Sequence, residues 1–199
     1  MMRINIYGGP GVGKSTLAAL LFGWLRQQGF QAELVQEWVK NWAYIGRQMQ
    51  SFDYVYTFAQ QLHTEDRLLQ AGVNIIVTDS PVYLQCMYAL HKRMKAANEL
   101  WRIAKRFEKE YPSVNFLMDR AQSDTYEQGG RYENLVQAVG MDRFIETCLN
   151  DWHVPFTHIV SDDLGPALKE LERHGVSMGN IEPIQTNNIK RRSKSSRKS

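Results

Sequence analysis

A chain of 199 residues, 43 % hydrophobic and 23 % charged, has the balance of one soluble domain with a sizeable core. No apolar run is long enough to span a membrane, and Met1-Met2-Arg3-Ile4 leads straight into a strand, so neither a membrane protein nor a leader peptide is expected. The net charge of +3 is uneven: residues 190–199, KRRSKSSRKS, hold six bases and no acid, and without them 18 Lys and Arg face 21 Asp and Glu.

Residues 3–7, RINIY, read as the first strand. A glycine-rich turn follows. Then Leu17, Leu20, Leu21, Trp24 and Leu25 recur at helical spacing until Gly29. FQAELVQ is a second strand. DYVYTFAQQLHTEDRLLQ is a helix with Phe52, Val55, Tyr56, Ala59 and Leu62 on its apolar face. VNIIVTD, 73–79, is an apolar strand of the kind buried on both faces. Helices over 82–94 and 96–110 precede the strand SVNFLMD, 113–119. A polar stretch, 120–131, leads into a helix over 132–150; FTHIV is the last strand and GPALKELERHG the last helix.

Five strands alternating with helices imply right-handed crossovers, so a parallel sheet with helices on both faces. One domain over 1–176 and a flexible basic tail over 177–199 are expected. The tail, rich in Ser and poor in apolar residues, reads either as a tether for nucleic acid or as a plain solvated terminus. Cys86 and Cys148 fall in apolar helical patterns and read as core residues of a cytoplasmic protein. The five histidines lack ligand spacing, so no transition-metal site is expected.

In such sheets ligands bind beyond the carboxyl ends of the strands. Gly8-Gly9-Pro10-Gly11-Val12-Gly13-Lys14-Ser15 fits G-x-x-x-x-G-K-[ST] between a strand and a helix, with Thr16 following. Its glycines let backbone N–H groups turn toward phosphate oxygens, and the helix adds its positive end. Lys14 is expected on the β- and γ-phosphates of a triphosphate and the Ser15 hydroxyl on Mg²⁺. Asp79 ends the third strand, where a carboxylate joins the metal shell or caps the next helix. Glu37, after the second strand, accepts a proton from an attacking hydroxyl or complements a helix dipole. Arg120 and Arg131 bracket AQSDTYEQGG, where Gly129-Gly130 form a hinge. The stretch reads as a lid whose arginines close over a transferring phosphoryl, or as a surface loop. Arg143 faces either the site or solvent. Trp38, Trp42, Tyr44, Phe52, Tyr54 and Tyr56, with Asn41, Arg47 and Gln48 nearby, suit stacking on a base, with Phe52 and Tyr56 the first core members.

A triphosphate site serves transfer or hydrolysis. The Asn-Lys-x-Asp of guanine-reading switches and the Leu-Ser-Gly-Gly-Gln of transporter ATPases are both absent from the sequence. The ordering of "GGPGVGKST", Glu37, "VTDSP" and "MDRAQSDTYEQGGRYEN" resembles small P-loop kinases of nucleosides and nucleotides. It is particularly similar to the ribosylnicotinamide-kinase-like group and to P-loop kinases of bacteriophages. The resemblance spans residues 3–175. It implies the P-loop NTPase fold with strand order 2-3-1-4-5, ATP with Mg²⁺, a hydroxyl acceptor near Glu37 and Asp79, and an arginine-bearing lid. Ser80-Pro81 stands where thymidylate and deoxynucleoside kinases often carry Arg, a departure from those groups. Some phage members resemble kinases that act on hydroxymethyluracil within DNA. A small kinase body with a basic tail is compatible with that acceptor. A free nucleoside, a nucleoside monophosphate, or an ATPase switch without transfer are the alternatives.

Overall fold

The computed structural model describes residues 1–120, 132–160 and 164–176. β1 (Met2–Tyr7) is central in a five-stranded sheet, flanked by β3 (Ile75–Thr78) and β4 (Ser113–Asp119). β2 (Ala32–Val35) and β5 (Thr157–Val160) form the edges, and every pairing is parallel. The order 2-3-1-4-5 is the one expected.

Side chains alternate across the sheet, and the two faces differ in chemistry. Ile4, Ile6 and Val77 pack under α1 (Lys14–Gln27) and α7 (Leu164–Arg173). Tyr7 and Ile76 face the other layer: α3 (Asp53–Gln70), α4 (Val82–His91), α5 (Ala97–Glu110) and α6 (Leu135–Asp151). A short α2 (Lys40–Tyr44), not foreseen in the sequence, follows β2. Cys86 and Cys148 are buried and unpaired in disulfides.

The buried charge of the second face is paired in place. Arg3, 2 % exposed, donates to Glu65 through Nε at 3.0 Å and Nη2 at 2.8 Å, and to Glu108 at 2.8 Å. Gln61 Nε2 donates both to Glu65 and to Thr78 Oγ1, linking this pair to the end of β3.

That network corrects the apolar face expected of α3. Its buried residues are Thr57, Phe58, Gln61, Glu65 and Leu69, while Phe52 is 71 % and Tyr56 44 % exposed. Apolar periodicity could not rank Gln61 and Glu65 as core, because their burial depends on Arg3, 62 residues from Glu65. Leu20 likewise lies outside the buried stripe of α1, which runs Leu17, Ala18, Leu21, Leu25. No described helix is long and apolar enough to cross a membrane.

Candidate active site

The carboxyl ends of β1, β2 and β3 bring the glycine-rich turn, Glu37 and Asp79 together. Gly13 immediately precedes α1 with φ +103°, a left-handed conformation that suits glycine. No side chain caps α1 and its first turn holds no acid, so the positive helix end faces the turn. Lys14 Nζ lies back across the turn and donates to the Gly9 carbonyl at 2.9 Å. Burial pushes the Lys14 ammonium down, while Glu37, Asp79 and Asp142 pull it up.

Asp79 is not a helix cap. Pro81 holds that position on α4 without a side-chain bond, and the Asp79 carboxylate points to the loop instead. Ser15 donates its hydroxyl proton to Asp79 Oδ2 at 2.5 Å, and the Glu37 N–H donates to Asp79 Oδ1 at 2.9 Å. With its proton committed to Asp79, the Ser15 oxygen keeps lone pairs for a cation. Two hard oxygen donors beside a phosphate cradle fit Mg²⁺.

Glu37 sits in the connection between β2 and α2, three residues before the helix begins, so it serves no first helical turn. It lines a cavity of about 320 Å³ whose wall also includes Pro10, Lys14, Ser15, Tyr54, Tyr88 and Tyr132. Desolvation pushes its carboxyl above the usual carboxylate range. Lys14 and Lys40 pull it down, and Asp79 and Glu133 push it up. Were Glu37 a general base, it would act deprotonated, and turnover would fall as pH drops through this raised pKa. Lys40→Met should move that acid limb to higher pH and Glu133→Gln to lower pH. Profiles of kcat/KM against pH check this, and shifts in the same direction for both variants would count against Glu37 as the titrating base.

The aromatic cluster is divided. Tyr54 and Gln48 line the Glu37 cavity. Trp38, Trp42 and Tyr56 pack on one another instead, beside Phe52 in a separate groove. Arg47 lies 3.6 Å over the Trp42 ring and pairs with Asp53 at 3.0 Å, so it is outside the cavity wall. Tyr88, Gln85, Lys92, Tyr132 and Glu133 are cavity residues that sequence reasoning missed. Tyr132 and Glu133 had a signal, since they directly follow the arginine-flanked stretch.

Arg120 is bound at the glycine-rich loop. Its Nε donates to Asp142 Oδ2 at 2.7 Å and its Nη2 to the Pro10 carbonyl at 2.7 Å. Arg131, Gly129 and Gly130 lie outside the described residues, as does the basic run 190–199. Arg143 is exposed, and its neighbour Asp142 faces the site, accepting from the Gly9 N–H at 2.7 Å. Asp142 was findable: it lies one turn from Ala138 beside the buried stripe Ala138, Met141, Ile145 of α6.

Over residues 3–165 the sequence matches a family model described as an AAA domain. The fold is similar to a solved NadR protein in complex with NR, at 15 % identity and a TM-score of 0.65, covering 92 % of this chain and 54 % of that one. This chain therefore spans about half the length of that protein. It is also similar to a thymidylate kinase from Candida albicans, at 17 % identity and a TM-score of 0.55, covering 86 % of this chain and 89 % of that one. At these identities the likeness is one of fold, the P-loop NTPase fold. No match is found among curated proteins.

Proposed function

The chain belongs to the AAA domain family, and within that phosphate-binding frame we propose a phosphotransferase that moves the γ-phosphoryl of ATP to a hydroxyl on a nucleoside moiety. One observation carries the reading: the cavity holding Glu37 opens directly on Lys14 and Ser15 and is walled by three tyrosines. Hydrolysis needs space only for a water, whereas a wall of tyrosines and glutamines continuous with the phosphate loop suits an organic acceptor. Both structural likenesses support it, one a thymidylate kinase and the other a complex with NR.

In this reading the backbone of Gly8 to Thr16 and Lys14 hold the β- and γ-phosphates. Ser15 and Asp79 would hold Mg²⁺, which when bound neutralises charge on those phosphates. Glu37 takes the proton of the acceptor hydroxyl as its oxygen attacks the γ-phosphorus in line, and ADP leaves. Tyr54, Tyr88 and Tyr132 with Gln48 and Gln85 orient the acceptor, offering ring edges and hydrogen bonds to a flat base. Arg131 is the remaining candidate for closing over the transferred group.

The finer assignment is the hydroxymethyl of 5-hydroxymethyluracil in bacteriophage DNA. Its support is the run of six bases in residues 190–199, suited to a polyanion. A DNA acceptor requires the base to leave the stack to reach Glu37. The test is incubation with γ-labelled ATP, hydroxymethyluracil DNA, ribosylnicotinamide, a nucleoside panel and a nucleoside monophosphate. Label in any acceptor supports transfer, and label only in free phosphate overturns it. Label in a free nucleoside but not in DNA overturns the finer assignment. Deleting residues 190–199 should flatten the salt dependence of DNA binding, and an unchanged slope removes the tail from the interface.

A further inference from the structure

Helix α6 reaches the glycine-rich turn at one place. The Gly9 N–H donates to Asp142 Oδ1 at 2.7 Å, and the Gly9 carbonyl accepts from Lys14 Nζ at 2.9 Å. Only glycine admits this approach: a Cβ at residue 9 would lie 2.7 Å from the Ala138 carbonyl and collide with Asp142 Oδ1. The same carboxylate accepts from Arg120 Nε at 2.7 Å and Nη2 at 3.2 Å, and Arg120 Nη2 also holds the Pro10 carbonyl. Asp142 and Arg120 are largely buried, at 19 % and 16 % exposure.

We propose that Asp142 is a positioning residue of the donor site and that Arg120 is its counter-ion. The inference rests on ATP being the donor. Asp142 fixes Gly9 from behind, and Gly9 in turn sets where Lys14 rests, so the phosphate cradle is ordered before a ligand arrives. Charge-assisted bonds to backbone N–H groups are strong, which is why a carboxylate suits the task. A bare carboxylate there would repel the triphosphate, since Asp142 already acts on the charge of Lys14. Arg120 cancels that repulsion and braces Pro10 as well. It works through Asp142 and the loop, not through the transferred phosphoryl.

The full chain carries the test. Binding of Mg·ATP by titration calorimetry should weaken about 10-fold in Asp142→Asn, the range for losing one charged hydrogen bond, and several-fold further in Arg120→Gln. Arg120→Gln leaves the Asp142 charge unanswered, so adding Asp142→Asn should restore affinity several-fold over Arg120→Gln alone. Losses that simply add would place Arg120 on the phosphate and overturn the counter-ion role. Affinity unchanged in Asp142→Asn would overturn the positioning role. The ¹⁵N-labelled Gly9 amide resonance, read without ligand, should move in Asp142→Asn, and an unmoved resonance also sinks the inference. That readout stands apart from the donor's identity: wild-type protein that fails to bind Mg·ATP while the resonance moves refutes the donor reading alone.

Discussion

Glu37→Gln is expected to lower phosphoryl transfer about 1000-fold while Mg·ATP affinity stays within a few-fold, the scale for losing a general base. The amide keeps the size and the hydrogen-bonding shape of the carboxylate but accepts no proton. The contact of residue 37 with Asp79 is made by its backbone N–H, so it survives the substitution. The donor side should therefore keep its geometry, with only the loss of the Glu37 charge beside Lys14 to move affinity. Folding should be undisturbed as well. A carboxyl with its pKa raised in the fold binds protons more readily folded than unfolded, so its charged form opposes folding above the unfolded pKa. Replacing it with a neutral group removes that cost, and thermal unfolding should show no loss. Single-turnover transfer with labelled ATP and calorimetry of Mg·ATP separate the effects. Full turnover in the variant would exclude Glu37 as the base, and a parallel loss of ATP affinity would make it a donor-site residue.

Glu65→Ala is expected to destabilise the fold by about 3–5 kcal/mol, because it leaves a buried charge without its main partner. Glu65 is fully buried and takes two hydrogen bonds from Arg3 and one from Gln61. Arg3 would keep Glu108 and the Tyr111 carbonyl. Those partners satisfy one nitrogen, while Nε and Nη2 lose theirs inside the protein. For a chain of this size the melting temperature should drop by about 10 °C. Glu108→Gln, at a side chain 22 % exposed, should cost less, since water reaches that end of the pair. Thermal unfolding of the two variants checks both the size and the order. A Glu65→Ala protein melting within two degrees of wild type, by the same size relation, would mean that Arg3 finds another way to be satisfied.

Helices, strands and the phosphate turn were legible because each is written in local sequence. The turn needs glycines, a lysine and a hydroxyl at fixed spacing, and the strands are contiguous apolar runs. Placing Glu37 and Asp79 at one edge followed from the rule that parallel crossovers collect strand ends. The roles left open between capping and site chemistry were decided by tertiary contacts. Asp79 turned to Ser15 and to the Glu37 N–H instead of capping α4. The aromatic cluster could not be apportioned in advance, since residues 38 to 56 carry aromatics too densely for one periodicity to sort them.

By itself the sequence determined the fold class, the strand count and the donor loop, all set by short-range spacing and by periodicity. The tertiary structure decided which polar residues are inside and which charges are answered. Arg3 with Glu65, Arg120 with Asp142, and the tyrosines around Glu37 join positions tens of residues apart or more. Burying a charge is costly unless a partner is present, and no local pattern reveals a partner that distant. For that reason the phosphate side of the site could be read from nine consecutive letters, while Asp142 behind it and the tyrosine wall beside Glu37 emerged only from the packed chain.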